Sequence, residues 1–162
     1  MPTNAENAYE SLKPTEGQST GAGAWFEVTQ QLIDQFAEAT NDHQFIHVDP
    51  ERARQGPWGT TVAHGFLTLS MLTHLTGSMR SDDASAARPR LEGMVMGVNY
   101  GFDRVRFINP VKVNSKIRAT GVTKSVELKG NAVNTTRTIT VEIEGEEKPA
   151  LVADWITRFV FT

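Results

Sequence analysis

The sequence predicts an α+β layer fold on three observations: helical periodicity confined to its first half, strand-like runs filling its second, and one nearly all-apolar helix. A helix of that kind needs cover on most sides, so an antiparallel sheet of four or more strands is expected to wrap around it. A hydrophobic content of 39% in 162 residues without an internal repeat fits one compact domain with its own core.

Residues 1–20 are rich in Ser, Thr, Pro, Gly and Glu, a composition that buries little surface. Residues 1–23 are therefore expected to be flexible or loosely docked, and the folded domain to span 24–162, starting near Trp25. Leu32, Ile33, Phe36 and Ala37 recur at helical spacing behind a capping Thr29, which predicts a helix over Gln30–Ala39. Asn41 suits a left-handed terminus and Pro50 bars helix before it, so Asp42–Asp49 reads as a loop. Glu51–Gln55 fits one further turn, with Asp49 as its cap and Pro50 at its first position. Gly56, Pro57 and Gly59 mark the next loop.

The apolar helix follows in HGFLTLSMLTHLTGSM, where Phe66, Leu67, Leu69, Met71, Leu72, Leu75 and Met79 cover most of the circumference. It is too short and too interrupted by Ser70, Thr73 and His74 to span a bilayer. Strands are expected over Leu91–Phe107, Val111–Leu128, Ala132–Glu144 and Leu151–Phe161. Asn109-Pro110, Lys129-Gly130-Asn131 and Gly145-Glu146-Glu147 separate them. Val133, Thr135, Arg137, Ile139, Val141 and Ile143 alternate with polar residues, giving one core face and one wet face.

Several function classes are excluded at this level. A net charge of -3, with sixteen Lys and Arg spread through the chain, does not make the basic face of a nucleic-acid binder. With no cysteine there is no disulfide, thiolate catalysis or Cys-based zinc site. The N-terminus lacks a basic start and an apolar run, so neither a signal peptide nor a membrane span is expected and a cytoplasmic location follows by default. Asn134-Thr135-Thr136 matches a glycosylation acceptor but reads more simply as part of a Thr-rich strand.

The chemistry concentrates where the first helix ends. Asp42 and His47 stand five residues apart just past its terminus, a carboxylate and an imidazole suited to acid/base work on a small substrate. His43 and His47 are four apart, but Pro50 and the turn residues argue against the helix a metal pair would need, so no metal is expected. His64 reads as a cap or hydrogen-bonded core residue before Gly65, whose free amide at a helix start is a candidate oxyanion donor. Asn99 either positions the dyad or substrate or is an ordinary polar strand residue, and Arg104, Arg106, Lys112 and Lys116 read as solvated charges.

FAEATNDHQFIHVDPERA, AHGFLTL and NYGFDRVRFINPV together resemble the three signatures of the MaoC-like dehydratases, the hot-dog-fold family containing (R)-specific enoyl-CoA hydratases, and its nodulation protein N-like subgroup. The resemblance covers about residues 24–161 and implies a single hot-dog fold, an antiparallel β-sheet wrapped around a long central α-helix. In the family motif Asn41-Asp42, Ile46-His47, Asp49 and Ala53 fill the expected places. Asn41 replaces the usual Gly, and Gln44-Phe45 replace the frequent Asn-Pro.

The resemblance implies reversible addition of water to a trans-2-enoyl-CoA to give the (R)-3-hydroxyacyl-CoA. Asp42 and His47 would hold the water, Gly65 the thioester oxygen and Asn99 a supporting bond. No cofactor is implied, since coenzyme A belongs to the substrate, and the partner implied is a second copy in a homodimer. The tail would lie among residues of the long helix and Leu91–Tyr100. A hot-dog thioesterase is one alternative, although Phe66–Met79 lack the carboxylate such enzymes carry on that helix. A non-catalytic acyl-thioester binding protein is the other.

Overall fold

A computed structural model describes residues 1–79 and 91–162. Helices α1 (Asn4–Leu12), α2 (Gln30–Thr40), α3 (Phe45–Val48), α4 (Pro50–Arg54), α5 (Gly65–Ser70) and α6 (Leu72–Gly77) precede the long strands. Short strands β1 (Ser19–Thr20) and β2 (Phe26–Glu27) lie between α1 and α2. Long strands β3 (Met94–Phe107), β4 (Lys116–Lys129), β5 (Ala132–Ile143) and β6 (Leu151–Phe161) complete one antiparallel sheet in the order β1-β4-β5-β6-β3, with β2 also on β4.

The sheet wraps the α5–α6 segment. Leu67, Leu72, Leu75 and Met79 pack on Ile117, Ala119, Ile139, Val141, Leu151, Ala153 and Trp155 from the facing strands. Leu72 and Leu75 are almost fully enclosed, and burial of each contributes roughly 1.5–3 kcal/mol. A turn at Gly130, with φ of 62°, joins β4 to β5 and pairs Lys129 with Ala132. β3 ends the sheet, bonded only to β6 among the described strands.

The central helix departs from the expected single, mostly buried rod. It breaks at Met71, where ψ is -9°. The Ser70 hydroxyl donates to the Phe66 carbonyl at 2.7 Å and that of Thr76 to Leu72 at 2.8 Å, bonds that bend helices on the side they compete. One side of this segment faces outward: Phe66 is 66% exposed, and Ser70, Thr73 and His74 are exposed with it. The expected loop Asp42–Asp49 likewise contains the single helical turn α3, and β4 begins at Lys116 because Asn114 turns the chain at φ of 66°. The wet face of β5 is partly covered, since Asn134 and Thr136 are buried and Arg158 of β6 donates to the Asn134 side chain.

The N-terminus also differs from the expectation of a loose tail before Trp25. Thr3 and Glu6 form a reciprocal capping box on α1. Ala5 and Ala8 are buried against Val126, Val133 and Phe161. Thr20 pairs with Gly121, which ties the segment to the edge of β4.

Ala8→Arg therefore drives a charge into that small cluster and is expected to cost roughly 2–4 kcal/mol. Denaturant unfolding checks it, and an unchanged midpoint would mean that α1 contributes no stability.

Candidate active site

The site forms where α2, α3 and the start of α5 meet. Thr29 caps α2 through its bond from the Leu32 amide at 3.2 Å, and Asn41 closes the helix at φ of 58°. This left-handed residue turns the chain and places Asp42 on the outside of the bend, with its side chain 49% exposed. Asp49 caps α4 through the Arg52 amide at 3.1 Å, which fixes the far end of the loop.

Between these two ends α3 carries His47 inward. His47 is 6% exposed, and its Nδ1 lies 2.6 Å from the Val62 carbonyl oxygen. A carbonyl only accepts, so Nδ1 carries the hydrogen and Nε2 keeps its lone pair. Two further bonds hold the residue. Gln30 Nε2 donates to the His47 carbonyl at 2.7 Å, while Gln30 Oε1 accepts from the Thr61 hydroxyl at 2.5 Å. Val62 in turn donates its amide to the Ile46 carbonyl at 3.0 Å, and Ala63 donates to Val111 at 2.7 Å.

His64 is the residue that joins the parts. It is 2% exposed, and its ring stacks on that of His47 with centroids 3.8 Å apart and planes at 24°. Its Nε2 donates to the Asp42 backbone carbonyl at 2.9 Å and lies 4.0 Å from the Asp42 carboxylate. Among the described residues nothing hydrogen-bonds its buried Nδ1. The same residue precedes Gly65, the first residue of α5, so one side chain fixes Asp42, supports His47 and anchors the start of the helix. Burial pushes the His47 imidazole below its ordinary value, and His64 adds to that, against opposing effects of the Val62 carbonyl and Asp42.

Asp42, His47 and His64 offer a carboxylate oxygen and ring nitrogens within 4.8 Å of one another. Such a set invites a metal, but two rings stacked at 24° hold their lone pairs in nearly parallel planes, a poor arrangement for closing both on one ion. Two groups bridged by one water stand about 4.5 Å apart, and these donor atoms lie within 4.8 Å of one another.

A cavity of about 280 Å³ opens beside His47, with Gly65, Thr68, Trp58 and Phe107 among its walls. Three of the four residues singled out in the sequence thus come together: Asp42 stands beside His47, and His47 and Gly65 share the cavity. Gly65 is crowded by Phe107, whose ring would lie 3.0 Å from a methyl at residue 65 and would have to shift by a few tenths of an ångström to admit one. Asn99 is elsewhere. It lines a separate space with Leu69, Thr73, Phe102 and Trp155, and its Oδ1 accepts a short hydrogen bond from Trp155 Nε1. His64 is the hydrogen-bonded core residue its place before Gly65 suggested, whereas the sequence offered no local signal for Val62 or Trp155, whose contacts join distant segments.

Comparison with known proteins follows this geometry. A family model described as the MaoC like domain matches residues 11–144. The chain belongs to the MaoC-like dehydratase family. This MaoC-like chain is 48% identical to nodulation protein N of Rhizobium leguminosarum bv. viciae, covering 90% of this chain and 86% of that one. It is 45% identical to 3-hydroxyacyl-thioester dehydratase Z of Mycobacterium tuberculosis, over 92% and 93% of the two chains. Among solved structures, the (R)-hydratase of A. caviae involved in PHA biosynthesis aligns with a TM-score of 0.63 at 18% identity, covering 88% and 94%. The monoamine oxidase regulatory protein of Archaeoglobus fulgius aligns with a TM-score of 0.66 at 24% identity, covering 91% of each. These likenesses show the hot-dog fold. Among the described residues no helix is long and apolar enough to cross a membrane.

The lowered His47 value has a measurable sign. Below about pH 6.5 the unfolded chain takes up a proton that folded His47 refuses, so stability falls as pH falls from there toward the lower folded value. The slope is at most about 1.4 kcal/mol per pH unit. Urea unfolding between pH 7.5 and 5.5 is expected to show it, and His47→Gln to flatten it.

Proposed function

We propose that the chain is an (R)-specific enoyl-CoA hydratase/dehydratase that adds water reversibly to a trans-2-enoyl-CoA, with Asp42 and His47 as its dyad. The observation that carries the reading is the pinned His47 tautomer. With Nδ1 committed to Val62, Nε2 is left as a base beside the Asp42 carboxylate and the cavity that Gly65 lines. Burial, which disfavours the charged ring, supports that role as a base.

The reaction then has a definite course. A water bridging Asp42 and His47 gives one hydrogen to the dyad as its oxygen bonds C3 of the enoyl group. The electron pair of the double bond moves toward the thioester oxygen, where the Gly65 amide and the start of α5 stabilise it. Transfer of a proton from the dyad to C2 on the same side completes the 3-hydroxyacyl thioester. The two groups work as a pair, so the proton belongs to the dyad rather than to either member. No cofactor or metal enters this course, since coenzyme A arrives with the substrate. The dehydratase name carried by a relative 45% identical over nearly the whole chain supports the reaction class.

The working unit is a homodimer joined through β3. That strand is 14 residues long with one bonded partner among the described strands, and Met94, Val95, Met96 and Tyr100 along it are 44–56% exposed. A long apolar edge left open is an aggregation template, and a second β3 related by a two-fold axis covers it.

Purified protein with crotonyl-CoA is expected to lose the conjugated double bond and give the (R)-alcohol. Asp42→Asn and His47→Gln are each expected to lower kcat by roughly 10²–10⁴ while remaining folded. Unchanged rates in folded variants would sink the dyad, and release of free thiol would indicate a thioesterase. Sedimentation of the native chain is expected to show dimers, which Val95→Lys with Met96→Lys weakens at least about tenfold.

A further inference from the structure

We propose that Trp155 closes the acyl channel of this site, so that the substrates are short-chain enoyl thioesters. The inference rests on the thioester reading above and adds the size of the acyl group to it.

The seam between α5–α6 and β3 contains two spaces in line. The first, beside His47, takes its walls from Gly65 and Thr68 of α5 and from Phe107 of β3. The second, about 180 Å³, lies farther along both elements, between Leu69, Leu72 and Thr73 on the helical side and Asn99 and Phe102 on the strand. A thioester held with its oxygen at Gly65 and its double bond at the dyad can send its tail along this seam, since Gly65, Thr68, Leu69, Leu72 and Thr73 are spaced as one helical stripe and Phe107, Phe102 and Asn99 follow in the same sense along β3.

Trp155 lines the second space. It comes from β6, directly opposite Phe102 in the β3–β6 register, and its indole lies nearly parallel to the Phe102 ring at 17° with centroids 6.3 Å apart. Its Nε1 hydrogen is held by Asn99 Oδ1. The Arg137 guanidinium lies over the ring, 5.3 Å from its centroid. An indole 6% exposed and held in three directions does not swing aside cheaply, because movement would strand its N–H without an acceptor. Asn99 is therefore a positioning residue for the channel's end wall, which explains why it sits apart from the dyad.

Calorimetric titration with saturated butyryl-, octanoyl- and dodecanoyl-CoA tests the wall without requiring turnover. Each methylene buried in an apolar channel tightens binding about fourfold. The native chain is expected to gain nothing from the four-carbon to the twelve-carbon group, and Trp155→Ala to gain at least tenfold between them. A native affinity that climbs with each methylene, or a folded Trp155→Ala with the native profile, overturns the proposal. If Trp155→Ala fails to fold, Asn99→Ala, which frees the indole without cutting the core, decides by the same comparison. Hydration of the matching enoyl-CoAs separates the two readings. A flat native profile that Trp155→Ala makes length-dependent, without hydration by either, sinks the hydratase and supports the wall, whereas no binding at any length overturns both.

Discussion

One buried imidazole holds the site together. His64 touches the backbone of Asp42, the ring of His47 and, through the chain, the amide of Gly65. Without it the Asp42 bend has no inward hydrogen bond from the helix side, and the His47 ring has solvent or empty space against its face. An aliphatic replacement would fill the volume but lose the bond to the Asp42 carbonyl, a net loss of about 0.5–1.5 kcal/mol. The requirement is thus for a flat ring with a donor at one edge.

The second constraint lies on the opposite side of His47. The Val62 carbonyl fixes the tautomer, and Val62 is itself fixed by its amide bond to Ile46 and its bridge to Lys112. The strand-like segment Thr61–Ala63 therefore serves both as a wall and as the electronic setting of the base. Gln30 extends the arrangement to α2, since one amide group spans the His47 carbonyl and the Thr61 hydroxyl. A shift of any of these three elements moves Nε2, which is how a packing change distant from the cavity would reach the chemistry.

How much of this the sequence disclosed follows from the range of each interaction. The caps of α2 were legible because Thr29 and Asn41 act within their own turn. The strands of the sheet were legible from alternation and turn residues, to within a few positions at their ends. Asp42, His47 and Gly65 stood out because their spacing forms a local motif. His64 in contact with Asp42, 22 residues away, and Asn99 with Trp155, 56 residues away, depend on the closed fold and left no periodic trace. The N-terminal helix was missed for a different reason. Composition pointed to a loose segment, whereas Thr3 and Glu6 already spelled a capping box that outweighs composition once Ala8 finds an apolar surface. The break at Met71 was hidden because the apolar pattern continues through it, and only the hydroxyls on either side signal the bend.

β3 carries more than one duty, and the duties restrain each other. Along one stretch its Phe107 crowds residue 65; farther back, its Phe102 and Asn99 brace Trp155. Its outer edge is the one the proposed dimer covers. The register of β3 on β6 has three irregularities, between Met94 and Met96, Asn99 and Gly101, and Phe102 and Arg104. Each irregularity re-aims the side chains on one side of it without sliding the rest of the strand. A strand so divided can keep Phe107 against Gly65 while Phe102 and Asn99 take a separate setting around the indole. That division lets the channel's depth change by substitution at the far end of the seam while the dyad and the helix start stay where the chemistry requires them.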